Sequence, residues 1–259
     1  MTKDSGWPAI SKNHLQIEEC AHFNESIQFP KYYLADFHAY DGGNLNPVAA
    51  KDAHSATSAA MKHHYENLTG RESSHFIRSG FSVTARSKNV HASRDKGVQR
   101  VVDFGCGVGV STWYLRHHFQ NAEVSGIDLS PFYLQESRGV DACFVHGNIE
   151  STGIPSGTVD VVCLSYVLHE LPCEVSFQVL REAARILKKG TGVIAILDMY
   201  KPRPSSPLMK YIFKRTEPYL DEYGEFLDAV EGFVQGIGFE DVDICLQIPK
   251  TIMLFAKLR

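Results

Sequence analysis

Three glycines at alternate positions, Gly105, Gly107 and Gly109, follow the apolar run Val101–Phe104 and precede a helix-like stretch from Val110. Glycines in such a turn let backbone approach a ligand closely and leave free N–H groups at a helix start. A dinucleotide fingerprint of the form G-x-G-x-x-G/A would need Gly or Ala at 110, where this chain has Val110, so the register favours another nucleotide-like ligand. Asp128, with Leu129 beside it, ends a second strand 23 positions after Gly105. A carboxylate there can accept both hydroxyls of a ribose, and Ser130 is better placed than Asp128 to cap the helix starting near Pro131. Asn148 and Ile149 end a third strand, an amide that can bond an adenine edge and an apolar group that can cover its face. A turn-forming Asn is the alternative. The buried run Asp160–Leu164 emerges into Ser165, Tyr166, Val167 and His169, on the edge where open α/β sheets bind ligands.

His169 is the candidate base or acceptor-orienting group, because a histidine titrates near operating pH and Glu170 is its neighbour. Capping the turn before Pro172 is the competing role. A second source of site residues is Pro30–Asn44, where Tyr33, His38, Tyr40 and Asp41 are expected in a lid hinged at Gly42 and Gly43. A surface loop packed by its own aromatics is the alternative. His63, His64 and the other histidines lack spacing to cysteines or acids that would suggest a metal cage, so no metal is expected.

Positioning these groups requires strands at 100–104, 122–127, 140–145, 159–164 and 192–198, and helices near 109–119, 130–137, 172–189 and 219–236. Their alternation predicts an α/β fold with a mostly parallel sheet covered on both faces. Val175, Val179, Ala183 and Leu187 mark one core-facing helix; Tyr219, Tyr223, Phe226, Val230, Phe233 and Ile237 mark another. Two terminal strands, Phe239–Gln247 and Thr251–Lys257, are expected to turn at Pro249. Before the sheet, Asn46–Leu68 is expected to be helical and closed by Gly70, and the serine-rich, basic stretch 71–100 reads as an exposed linker or, alternatively, an anion-binding strip. The division is therefore 1–97, a cap or lid with linker, and 98–259, the ligand-binding core.

A chain of 259 residues can bury a sizeable core, and its net charge of −4 supplies no global basic field for nucleic acid. Cys20, Cys106, Cys143, Cys163, Cys173 and Cys245 form no CxxC pair, which suits a reduced, cytoplasmic protein. Acids at Asp4, Glu18, Glu19 and Glu25 argue against a transit peptide, and the apolar runs are too short to span a membrane.

Taken in order, Val101–Leu115, Gly126–Ser130, Gly147–Glu150, Val159–Pro172 and Glu182–Asp198 resemble class I S-adenosylmethionine-dependent methyltransferases over about 101–257. Within that family, Val167–Pro172 looks most like the small-molecule branch that includes ubiquinone and menaquinone biosynthesis methyltransferases. The resemblance implies a Rossmann-like seven-stranded sheet with an antiparallel last strand. It implies that Asp103, Gly105, Gly107 and Gly109 hold the methionine part of S-adenosylmethionine, with Cys106 in the same cofactor-binding loop serving packing and not as a nucleophile. Asp128 and Leu129 would hold the ribose, Asn148 and Ile149 the adenine, and Ser165 and Tyr166 the region of the sulfonium. His169, Tyr33, His38 and Tyr40 would then face a small-molecule methyl acceptor. A silent cofactor-binding scaffold and an NAD(P)-dependent oxidoreductase are the competing readings.

Overall fold

The computed structural model describes residues 24, 27–61, 70–92, 97–137, 139–200, 211, 216–247 and 251–259. Seven strands form one sheet: β1 (Arg100–Phe104), β2 (Glu123–Asp128), β3 (Cys143–His146), β4 (Val161–Ser165), β5 (Val193–Met199), β6 (Phe239–Gln247) and β7 (Thr251–Leu258). Their order is β3-β2-β1-β4-β5-β7-β6, parallel from β3 to β5, with β7 antiparallel to β5 and β6. The expected fold class is the one observed.

Helices α1 (Pro47–Met61), α2 (Gly70–Ala92), α3 (Val110–His118), α4 (Pro131–Glu136), α5 (Cys173–Ile186) and α6 (Leu220–Gly236) surround the sheet. Val101, Val102, Phe104 and Val161–Leu164 are wholly buried, as continuous apolar strands covered on both faces must be. Val102, Phe104, Leu164 and Ile196 pack with α5 and α6, through Val179, Leu180, Tyr223 and Phe226. Val101, Val161, Cys163 and Ala195 pack on the opposite face with Ile77, Phe81, Ala85 and Leu115. Those last four residues belong to α2 and α3.

Helix α2 replaces the linker expected over 71–100, and Gly70 opens it instead of closing the helix before it. Ile77, Phe81 and Ala85 form a narrow apolar stripe at i, i+4 and i+8, and the buried Ser73, Ser74 and Ser82 let the helix sit close to its neighbours. Serines that resemble loop composition here are small interface residues, and burying Ile77 and Phe81 contributes about 1.5–3 kcal/mol each. Arg78, expected on a solvated strip, is buried and points inward. No described helix is long and apolar enough to cross a membrane. Cys20, His63, His64 and the turn at Pro249 lie outside the described residues.

Candidate active site

The chain passes from β1 outward to β3 and then returns to begin β4 on the other side of β1. At such a switch point the strand ends diverge and leave a crevice at their carboxyl edge. A cavity of about 740 Å³ opens there, lined by residues following β1, β2, β3, β4 and β5 and by the segment Tyr32–Asn44.

The Gly105–Val108 turn lines the cavity. Gly105 and Gly107 have φ of 66° and 55°, a backbone region that glycine enters freely. A Cβ on Gly105 would lie 2.6 Å from Val167 Cγ2. Gly105→Ala should therefore cost about 1–2 kcal/mol from the left-handed backbone alone and disturb the turn, seen as a lower melting temperature and weaker nucleotide binding. Cys106 lines the cavity by one side and packs on Gly126 by the other, since a Cβ there would meet its Cβ and Sγ at 2.7 Å. Burial holds its thiol well above the ordinary range, in keeping with packing over nucleophilic use. Gly109 caps α3 behind the turn and Asp103 lies beneath it; neither lines the cavity. Asp103 Oδ2 accepts from Ser111 Oγ at 2.7 Å and Thr112 Oγ1 at 2.6 Å, so its place is to hold the start of α3 against β1.

Asp128 lines the cavity with its Oδ2 accepting the Gly107 N–H and its Oδ1 the Ser130 N–H, both at 2.8 Å. Ser130 is the N-cap of α4, accepting from the Tyr133 N–H, which leaves Asp128 free of that task. Burial pushes Asp128 up to about 6, against the lowering effect of its two N–H donors. Leu129, Asn148 and Ile149 line the cavity as well. The Asn148 side chain is engaged in its own turn, accepting from the Glu150 N–H at 2.9 Å and donating to Glu150 Oε1 at 3.0 Å.

Ser165 and Tyr166 also line the cavity, with Tyr166 at φ 59° where β4 ends. Sequence reasoning missed their partner. Arg78 reaches from α2, donating to Ser165 Oγ at 2.6 Å and lying 5.2 Å over the Tyr166 ring, while its buried Nε has no hydrogen-bond partner. The signal was the Ile77, Phe81, Ala85 spacing, which makes α2 a helix and puts Arg78 beside the buried stripe.

The lining also gathers Tyr33, His38, Tyr40, His169, Glu170 and Glu217. His169 is buried and its Nδ1 lies 2.7 Å from Asp198 Oδ1; the neighbouring Glu170 is farther, its Oε1 3.9 Å from Nε2. Burial lowers the affinity of His169 for a proton, yet the Asp198 charge and hydrogen bond leave it raised. Asp198 also accepts the Leu168 and Met199 N–H groups, so it is anchored independently of the histidine. The competing cap role for His169 is not what the described bonds show. His38 sits at φ 52° with its Nδ1 2.9 Å from Glu217 Oε1 and Nε2 3.1 Å from Glu170 Oε1. Burial opposes protonation of His38, but the two carboxylates outweigh it and raise it to about 10. Tyr40 donates to Asp52 of α1, and Asp41 lies outside the cavity lining. Gly43, expected as a hinge, is buried so tightly that a Cβ would lie 2.5 Å from the Ala35 carbonyl oxygen.

Residues 101–190 match the family described as a methyltransferase domain. Those residues carry a methyltransferase domain. The chain is 32% identical over 126 residues to a trans-aconitate 2-methyltransferase of Mycobacterium ulcerans, covering 48% of this chain and 46% of the relative. It is 28% identical over 147 residues to a demethylmenaquinone methyltransferase of Lactococcus lactis, covering 52% and 56%. The chain thus spans about half the length of the curated relatives it matches. In fold it resembles Haemonchus contortus phosphoethanolamine N-methyltransferase 2, solved with phosphomonomethylethanolamine and S-adenosylhomocysteine. The TM-score is 0.60 at 13% identity, over 84% of this chain and 60% of that one.

Proposed function

We propose that this protein transfers the methyl group of S-adenosylmethionine to a small-molecule acceptor bound in the same cavity. The observation that carries the reading is the joining of two chemically distinct groups in the lining of one 740 Å³ space: a glycine turn with a buried carboxylate, and a set of tyrosines and imidazoles. The methyltransferase-domain match, and relatives named for acting on trans-aconitate and demethylmenaquinone, support it over the nicotinamide alternative.

The residues present fit the cofactor. The Gly105 cradle would be filled by a Cβ, Asp128 keeps lone pairs for two ribose hydroxyls, and Leu129 and Ile149 offer apolar cover for an adenine. The orphaned Arg78 Nε suits the carboxylate of the methionine part. Among the described residues, Arg78 is the one Arg or Lys lining the cavity. Arg78→Met should weaken S-adenosylhomocysteine binding about 10- to 100-fold, the loss of about 1.5–3 kcal/mol from a charged hydrogen bond, measured by calorimetry.

S-adenosylmethionine supplies an electrophilic methyl when bound, so the protein's work is to hold an acceptor in line and keep water out, worth roughly 7–11 kcal/mol. His169, fixed at Nδ1 by Asp198, presents Nε2 to the acceptor's proton or to the group that holds the acceptor. The segment 30–44 closes the chamber, with Tyr33 and His38 as its walls. It is latched by Tyr32 Oη to Glu150 Oε1 at 2.6 Å and by Ser130 Oγ to the Asn44 carbonyl at 2.6 Å.

Calorimetric titration with S-adenosylmethionine and S-adenosylhomocysteine, followed by methyl-labelled transfer to a panel of small acids, phenols and amines, tests the reading. Binding of both with label appearing in one acceptor supports it. Absence of binding would remove the cofactor assignment, and binding without transfer to any acceptor would leave a silent scaffold.

A further inference from the structure

We propose that His38, His169 and Glu170 form a binding site for one divalent first-row transition metal ion in the acceptor chamber. One ligand atom from each of His38, His169 and Glu170 lies within 4.8 Å of the other two. The two imidazole-to-carboxylate edges are 3.1 Å and 3.9 Å. Ligands about 2.0–2.2 Å from a common ion are separated by roughly 3–3.6 Å, so these atoms need move by only about an ångström to close on one.

The surroundings distinguish this group from a chance cluster. A metal-binding histidine almost always has its other ring nitrogen held by a carboxylate or carbonyl, which fixes the ring and its tautomer. Both histidines have that support: His38 Nδ1 is 2.9 Å from Glu217 Oε1, and His169 Nδ1 is 2.7 Å from Asp198 Oδ1. Glu170 is held in the same way, its Oε2 accepting from Asn44 Nδ2 at 2.8 Å. Glu217 supplies a further, independent observation, because its Oε2 is buried with no hydrogen-bond partner. Glu170 and Glu217 line the chamber and Asp198 stands behind His169, so a divalent ion bound there would replace protons on the imidazoles and keep these carboxylates compensated. Two imidazoles and one carboxylate suit zinc, cobalt, nickel or iron in preference to magnesium or calcium.

Three protein ligands leave a coordination position open, as in catalytic metal sites. An oxygen of the acceptor would occupy it, placing the ion between the acceptor and His169 Nε2. The ion would also tie His38 of the segment 30–44 to the turn that follows β4, joining the cover of the chamber to its floor. No sequence spacing reveals the site, since its ligands stand 131 and 132 positions apart (169 − 38 and 170 − 38) and meet only through the fold.

The test uses tag-free full-length protein stripped with chelator and titrated with Zn²⁺ by calorimetry and with Co²⁺ by visible absorption. One ion per chain is expected, with affinity at least about tenfold lower in His38→Asn and in Glu170→Gln, and about 10- to 100-fold lower in Asp198→Asn. Far-ultraviolet circular dichroism and the melting temperature report that each variant is folded. Substoichiometric binding to the wild-type chain, or affinity unchanged in both His38→Asn and Glu170→Gln, overturns the proposal. X-ray absorption of zinc-loaded wild-type protein provides a readout that needs no variant: a nitrogen and oxygen shell with imidazole scattering is expected, and a thiolate shell overturns the site. The metal titration requires no cofactor, so a chain that binds zinc but not S-adenosylmethionine refutes the methyl-transfer reading alone.

Discussion

Asp128→Ala should weaken S-adenosylmethionine and S-adenosylhomocysteine binding by at least about 100-fold, because a charged acceptor of two ribose hydroxyls contributes about 1.5–3 kcal/mol for each bond. The same substitution leaves the Gly107 and Ser130 N–H groups without their acceptor, so the glycine turn loosens as well. The effect should depend on pH in the wild-type chain. Burial raises Asp128 to about 6 in the free protein, and ribose hydroxyls donate only to its ionised form well. Binding therefore favours proton release, and affinity should fall as pH is lowered through about 6, approaching tenfold per unit below it. Asp128→Asn should flatten that profile. A profile equally steep in Asp128→Asn would assign the proton to another group. Stability of the free protein has the opposite sign: for a carboxyl raised by burial, folding is favoured while it is protonated, so its contribution is lost as pH rises from about 4 to about 6. Asp103, also raised to about 6 by burial, adds to that trend.

Asp198→Asn should lower the rate of methyl transfer about 10²- to 10⁴-fold, the range typical of a displaced proton-transfer group. The cofactor's affinity should stay within about threefold, since Asp198 lies away from the predicted cofactor contacts. An asparagine amide donating to His169 Nδ1 would force the tautomer with hydrogen on Nε2, which can neither accept a proton nor bind a metal. Nitrogen NMR of the His169 ring in single-turnover-competent protein reads the tautomer directly. Unchanged tautomer with a lost rate would instead point to the Leu168 and Met199 N–H groups that Asp198 also holds.

Local pattern alone placed the first five strands along the chain, the helices α3 to α6 and the ligand edge, while the order of the strands within the sheet came from the tertiary structure. Buried strands need runs such as Val161–Leu164, and a glycine turn needs positive φ at Gly105 and Gly107. Those requirements are written in neighbouring residues. Ser130 over Asp128 as the cap of α4 was legible for the same reason, a capping oxygen having to stand just before the first turn. Helix α2 was hidden because its interface uses serine and alanine for close approach, and periodicity counted on large apolar residues loses a stripe that narrow. With it was lost Arg78, whose inward direction is set by the helix's rotation against the sheet. The partners in the acceptor chamber belong wholly to the tertiary structure. Glu170 is adjacent to His169 in sequence, but the backbone turn carries its carboxylate toward His38, and Asp198 arrives from the end of β5 to hold the imidazole. Adjacency along a chain fixes backbone proximity only; which side chains share a hydrogen bond depends on where strands end and how a cover segment folds back over them.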